Sequence, residues 1–306
     1  MKKDELQRNA HFSASTTLKP AIQAWRLYLQ DQGNSPHTLT AFLSDLNLLA
    51  SYLPPDQTLS EITTIDLNQF LDWMQHKRDV ACSPKTLARR ITSLKSFFNW
   101  VFRYQVIMQN PAEAVVQHSV ISPIPIILSD DEVERLMDTA QQYRIAAKPD
   151  ARYYTLLKLL LLSGIKKNEC LGIYLNHIDS EDPEAPFFFV RYANPQYRYK
   201  ERKISLSPDW LEAYHEYIEQ YSIRDQLFIW SQRRLEYLLE DLSREANIGK
   251  HVSFDMCRWT CAMHDWRAGE DHNKIREKLG LSKIQWREIG MKLTQLAAGA
   301  EANPSA

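Results

Sequence analysis

Leu39, Phe42, Leu46, Leu49 and Leu53 recur at alternating steps of three and four residues. Leu87, Ile91, Leu94, Phe98 and Val101 repeat the pattern. That spacing puts every apolar side chain on one face of an α-helix and is incompatible with the period of two that a strand requires. With 8 glycines in 306 residues, little in the chain interrupts such helices. Ser35-Pro36 and Ser83-Pro84 each supply an N-cap hydroxyl followed by a first-turn proline, so they mark two helix starts. An earlier helix is predicted over Lys19 to Gln30, burying Ile22, Trp25, Leu27 and Leu29. A third carries Leu67, Phe70, Leu71 and Met74. Four helices of this kind form a bundle that closes near Asn110-Pro111.

The segment HSVISPIPIILS has two prolines and no helical period and reads as an extended linker. Ser129 with Glu132 forms a capping box that opens a second domain. The helix TLLKLLLLSG ends at Gly164, and residues 186–206 hold two strand-like runs around an Asn194-Pro195 turn. The expected organisation is an N-terminal arm over 1–18, a helical domain over 19–118, a linker over 119–128, a mixed α+β domain over 129–296 and a disordered tail over 297–306. The fold class is therefore mainly α, with two domains and a small β hairpin in the second.

No apolar run approaches membrane-span length, and the polar N-terminus lacks the apolar middle of a signal peptide. Four cysteines without framework spacing suit a reducing cytoplasm. No glycine-rich phosphate loop is present, so no nucleotide or other cofactor is expected. Cys257, Cys261 and His264 share a helix face, but structural zinc needs four ligands, and core packing explains the two thiols better. No metal is expected.

A net charge of −1 decides nothing about nucleic acid; clustering does. The fourth helix aligns Lys85, Arg89, Thr92, Ser96, Asn99 and Arg103 in a stripe opposite its apolar face, with Arg90 and Lys95 at the margins. Such a basic, hydroxyl-rich surface suits a phosphate backbone, although a solvated helix face accounts for it as well. Arg191, Arg198, Lys200, Arg202 and Lys203 form a second cluster on the hairpin. Two patches on two domains suggest a C-shaped clamp around double-stranded DNA.

A helical domain with a basic fourth helix, the NPA turn, the Pro-rich linker and LSDDEVERLM, in that order, resemble the tyrosine recombinases, the family of phage integrases and Xer-type resolvases. The resemblance continues through LLLLSGIKKNECLGIYLNHID, the basic hairpin and DMCRWTCAMHDWRAGEDHNKIREKLGLS. It implies a SAM-like core-binding bundle followed by a catalytic domain. It also implies a chemistry in which a tyrosine attacks a DNA phosphodiester, two arginines grip the phosphate, a hairpin lysine protonates the leaving oxygen and histidines assist. At the matching positions this chain carries Lys166 for the first arginine, Asp255 for a histidine, Arg258 for the second arginine, Trp259 after it, Leu281 for another histidine and Gly290 for the tyrosine. Lys200 is a candidate for the lysine, although its KER run better matches a neighbouring non-catalytic stretch. No tyrosine follows Tyr237. Asp255 would repel a phosphate and is expected to pair with Arg258.

The segment KLGLSKIQWREIGMKL, residues 278–293, also looks like the second half of a helix-turn-helix. Lys283, Gln285 and Arg287 would then read a groove, against which Glu288 counts. The bland account is that Ile275, Leu279, Leu281, Ile284, Ile289 and Leu293 pack a C-terminal helical pair, with Trp259, Trp266 and Trp286 as core anchors and Ser282 as a cap. The resulting expectation is a DNA-binding protein of recombinase fold without strand cleavage, acting alone, self-associated on DNA or beside an active recombinase. Lys85, Arg89, Arg90, Lys95, Arg103, Lys166, Arg198, Lys200, Arg202 and Arg258 are its expected DNA contacts. The alternatives are an active recombinase with an atypical nucleophile and a helical protein-interaction scaffold that does not bind DNA.

Overall fold

A computed structural model describes residues 13–117 and 123–302, the last three by their backbone alone. Expectations for residues 1–12, 118–122 and 303–306 fall outside the described residues. The chain divides into two compact units, Met1–Ser122 and Pro123–Ala306.

In the first unit, α1 (Leu18–Asp31), α2 (Pro36–Tyr52), α3 (Thr64–Asp72) and α4 (Pro84–Arg103) surround one apolar core. Ser35 and Ser83 act as caps, their hydroxyls accepting from the amides of Thr38 at 3.1 Å and Thr86 at 3.3 Å. Each occupies one amide that the helix leaves unpaired. Trp25 stacks on Phe42 with centroids 5.7 Å apart and meets Phe97 edge-on at 5.3 Å. Leu27, expected inside, is 63% exposed, because two residues from Trp25 it points away from the core. α3 continues as a π-helical turn over Trp73–Lys77, where Met74 is buried.

The second unit begins with α5 (Asp130–Ile145), started by the reciprocal capping box of Ser129 and Glu132. α6 (Arg152–Ser163) is buried over most of its surface and stops at Gly164, whose φ of +56° forms a left-handed cap. After the short α7 (Lys167–Leu171), β1 (Ile178–Asp179), β2 (Phe187–Val190) and β3 (Arg202–Ser205) form an antiparallel sheet in that order. Phe188 faces Ile204 across it, and Val190 faces Arg202. The β2–β3 connection is longer than the predicted tight turn. A 3-10 turn over Pro195–Lys200 fills it, and the Asn194 side chain caps that turn by accepting from Gln196 N at 3.0 Å.

α8 (Pro208–Gln220), α9 (Gln232–Glu245), α10 (Phe254–Arg267), α11 (His272–Lys278) and α12 (Lys283–Ala302) complete the unit. α12 runs through residues 297–302, which were expected to be disordered; that stretch is rich in alanine, the strongest helix former. Among the described residues, no helix is long and apolar enough to cross a membrane.

Candidate nucleic-acid interface

In the second unit, the left-handed turn at Gly164, between α6 and α7, packs closely against Cys261 of α10 and Leu279. A side chain on Gly164 would stand 2.9 Å from Leu279 and 3.2 Å from Cys261. Arg258, on the first turns of α10, uses this closeness. It donates to the carbonyl of Gly164 and, at 2.6 Å, to that of Leu279. Asp255 forms no ion pair with it. The expected pairing gives way to two backbone carbonyls that face the guanidinium directly, and Asp255 stays exposed.

Lys166 lies beside Arg258 and is partly buried. Burial lowers its pKa from the ordinary lysine value, and the positive charges of Arg258, Lys200 and Arg202 lower it further. The charges of Arg258, Lys200 and Arg202 are therefore near enough to act on Lys166. An open cleft of about 280 Å³ adjoins Lys166 and Arg258, bounded by Asp255, Trp259, Leu281, Gln285, Glu288 and Ile289 among others. Asp255 lines its wall and leaves it open. A second cleft, toward Ile165, Glu236 and Phe254, shares Lys166, Asp255 and Arg258.

Arg202 departs from its expected role. Its side chain is 8% exposed and donates to the Glu169 carboxylate at 3.1 and 2.9 Å, and to the carbonyls of Lys278 at 2.6 Å and Lys200 at 3.1 Å. With those donors engaged internally, it braces β3 against α7 and the end of the helix that carries Lys278. Glu169 also accepts from the Lys166 amide at 2.8 Å and from the Tyr192 hydroxyl. Burial pushes the Glu169 pKa up, but the Arg202 hydrogen bonds and charge outweigh that and hold it down at about 2. The Tyr192 phenol is pushed above its usual pKa, by burial and by the carboxylate it serves. Glu169 and Tyr192 were not singled out in the sequence; the capping-box spacing of Glu169 after Lys166 was the available signal.

Lys200 ends the 3-10 turn with its ammonium over the rings of Tyr197 and Tyr199, and Arg198 is exposed on the same turn. Arg191 stands 3.5 Å from Glu201, and Lys203 lies on the Phe187 ring. Gly290 sits inside α12, where an added β-carbon would stand 3.7 Å from the Trp286 ring. Ser282 caps α12 reciprocally with Gln285. Leu279, Leu281, Ile289 and Leu293 join Trp259, Trp266 and Trp286 in one apolar cluster, whereas Ile284 is 79% exposed. Cys257 and Cys261 are buried and the His264 side chain is exposed, so the three do not converge.

In the first unit, Lys85 and Arg103 are exposed and Lys95 is half-buried; among the described residues none stands in a recorded ion pair. Arg89 and Arg90 are committed elsewhere. Asp45, buried on α2, accepts two bonds from Arg89 and one from Ser93 at 2.7 Å, with Arg90 3.5 Å away. Arg90 also reaches the Met74 sulfur. A carboxylate on the apolar face of α2 needs partners, and it draws these two arginines inward from the stripe. The sequence signal was Asp45 falling beside Leu46 on the buried face.

Comparison with known proteins agrees with this architecture. Residues 22–105 match the phage integrase N-terminal SAM-like domain, and residues 127–289 match the phage integrase family. Tyrosine recombinase XerC of Lacticaseibacillus casei is 26% identical over 296 residues, covering 90% of this chain and 95% of that protein. Tyrosine recombinase XerD of Staphylococcus epidermidis is 27% identical over 284 residues, covering 88% and 92%. Among solved structures, the fold resembles XerH site-specific recombinase bound to palindromic difH substrate in a post-cleavage complex. The TM-score is 0.70 at 16% identity, over 98% of this chain and 92% of that one. A lambda integrase dimer bound to a COC′ core site gives 0.69 at 14% identity, over 94% and 81%. With the SAM-like bundle, the three-stranded sheet and the Arg258 cleft in this order, the chain belongs to the phage integrase family of tyrosine recombinases.

Proposed function

We propose that this chain binds double-stranded DNA in recombination or integration but does not itself cut a strand. Lys85, Lys95 and Arg103 of the first unit, with Lys166, Arg198 and Lys200 of the second, supply the phosphate contacts, beside the charge of Arg258, whose two terminal nitrogens serve the Gly164 and Leu279 carbonyls. Related recombinases of the same fold have been solved on DNA, which supports the duplex as the ligand. The carrying observation is the cleft beside Lys166 and Arg258. Among the described residues, none that lines the cleft of about 280 Å³ bears a hydroxyl, thiol or imidazole, and the Ser253 hydroxyl on the second cleft caps α10 by accepting from the Met256 amide at 3.2 Å. A phosphate there meets cations that hold it but no side chain of the kinds that usually attack it, and Asp255 and Glu288 would repel it. Such a protein marks a site, occludes it, or assists an active recombinase.

One observation favours a second reading: the Tyr192 phenol lies next to the cluster. Its hydroxyl donates to Glu169 and its pKa is raised, the opposite of an activated nucleophile. A duplex nicked close to the exchange point traps any covalent intermediate. The expected result is salt-sensitive binding with no protein–DNA adduct on a denaturing gel. An adduct would overturn the non-cleaving reading, and peptide mapping to Tyr192 would identify the alternative nucleophile.

A further inference from the structure

The 3-10 turn between β2 and β3 carries Tyr197-Arg198-Tyr199-Lys200 at its surface, with Tyr199 70% and Tyr197 41% exposed. Tyr197 keeps one ring contact inward, to Tyr192 with centroids 6.0 Å apart, whereas Tyr199 contributes nothing to the core, and both rings are interleaved with two cations. Pro195 fixes the first φ of the turn and Asn194 caps its start. Lys200 lies 5.0 Å and 5.3 Å from the two ring centroids, a cation–π arrangement that holds the rings beside a positive charge. The peptide carbonyl of Lys200 is tied to Arg202, which anchors the turn to Glu169.

Aromatic faces flanked by Lys and Arg are what unpaired nucleobases require: the cations hold the backbone while each base stacks on a ring. Bases within an intact duplex are already stacked and do not expose their faces. From this we infer that the Tyr197–Lys200 turn is a stacking platform for unpaired bases, giving the protein a preference for locally opened DNA over closed duplex. The inference rests on the DNA-binding reading above and adds the conformation of the DNA that is recognised.

The test compares the full chain's affinity, by fluorescence anisotropy, for a closed duplex and for the same duplex with a short central bubble. Base stacking on an aromatic side chain contributes roughly 1–3 kcal/mol per base, so the bubble should bind about tenfold tighter or more. Tyr197→Ala with Tyr199→Ala should bring bubble affinity down to the duplex value and leave duplex affinity unchanged. Tyr197→Phe with Tyr199→Phe should keep the preference, because the ring face is retained. Both pairs are exposed, and circular dichroism checks that each variant folds. Equal binding of the two probes by the unaltered chain, or a preference that survives the alanine pair, would overturn the platform while leaving duplex binding intact. Binding to neither probe would overturn both readings.

Discussion

Arg202 on β3 grips Glu169 on α7 with two hydrogen bonds, at 3.1 and 2.9 Å, and both side chains are almost fully withdrawn from solvent. A cation that the sequence placed on the DNA surface thus serves as an internal brace. Glu169→Ala would leave a buried guanidinium without its counter-charge. Breaking such a pair from one side costs about 3–5 kcal/mol, to be read as a lower urea midpoint with an unchanged slope.

The same pair sets a pH dependence. The carboxyl of Glu169 is held at about 2 in the folded protein, below its ordinary value of 4.5. A depressed folded pKa adds stability that is complete above the unfolded value and is lost as pH falls through the folded one. Stability should therefore decline between about pH 4.5 and 2. Thermal melts across that range should show this component missing in Glu169→Gln.

Gly280 has φ +59°, and a β-carbon on it would stand 2.6 Å from Arg202 Nη1. Gly280→Ala meets both an unfavourable backbone and a displaced guanidinium. Destabilisation by about 1–3 kcal/mol is expected, visible as a lower Tm, whereas Gly249→Ala, with open space around it, should change little.

In the first unit, the division of labour among the basic residues is testable. Lys85→Ala with Arg103→Ala should weaken duplex binding and flatten the slope of log affinity against log salt by about 1 per lost phosphate contact. Their urea midpoint should not move. Arg89→Ala removes a partner of buried Asp45 and should instead lower stability. A stability loss in the first pair and none in Arg89→Ala would invert the assignment.

Gly290→Tyr puts its β-carbon 3.7 Å from the Trp286 ring, an ordinary contact, and circular dichroism checks that the variant folds. With Lys166, Asp255 and Leu281 unchanged around the cleft, the added phenol should yield no covalent adduct on a nicked duplex. A robust adduct would show that one side chain alone separates this chain from a cleaving enzyme.

The helices were legible because burial on one face leaves a periodic trace that any reader of spacing recovers, as with Leu39 to Leu53 and Leu87 to Val101. Serine–proline caps and the Ser129–Glu132 box are local in sequence, and they stand where they were expected. What a charged side chain does depends instead on which distant carboxylate or carbonyl it meets. Arg89 and Lys85 look alike along α4, yet only Arg89 finds Asp45, 44 positions away. Arg202 and Arg258 differ from a surface cation through partners such as Glu169, Lys278, Gly164 and Leu279, which the fold brings to them. Sequence by itself determined the helices, the two-part organisation and the residue types at each family position. Tertiary structure decided which cations face solvent and which brace the interior, because electrostatic partners are chosen by proximity in space, which periodicity does not encode.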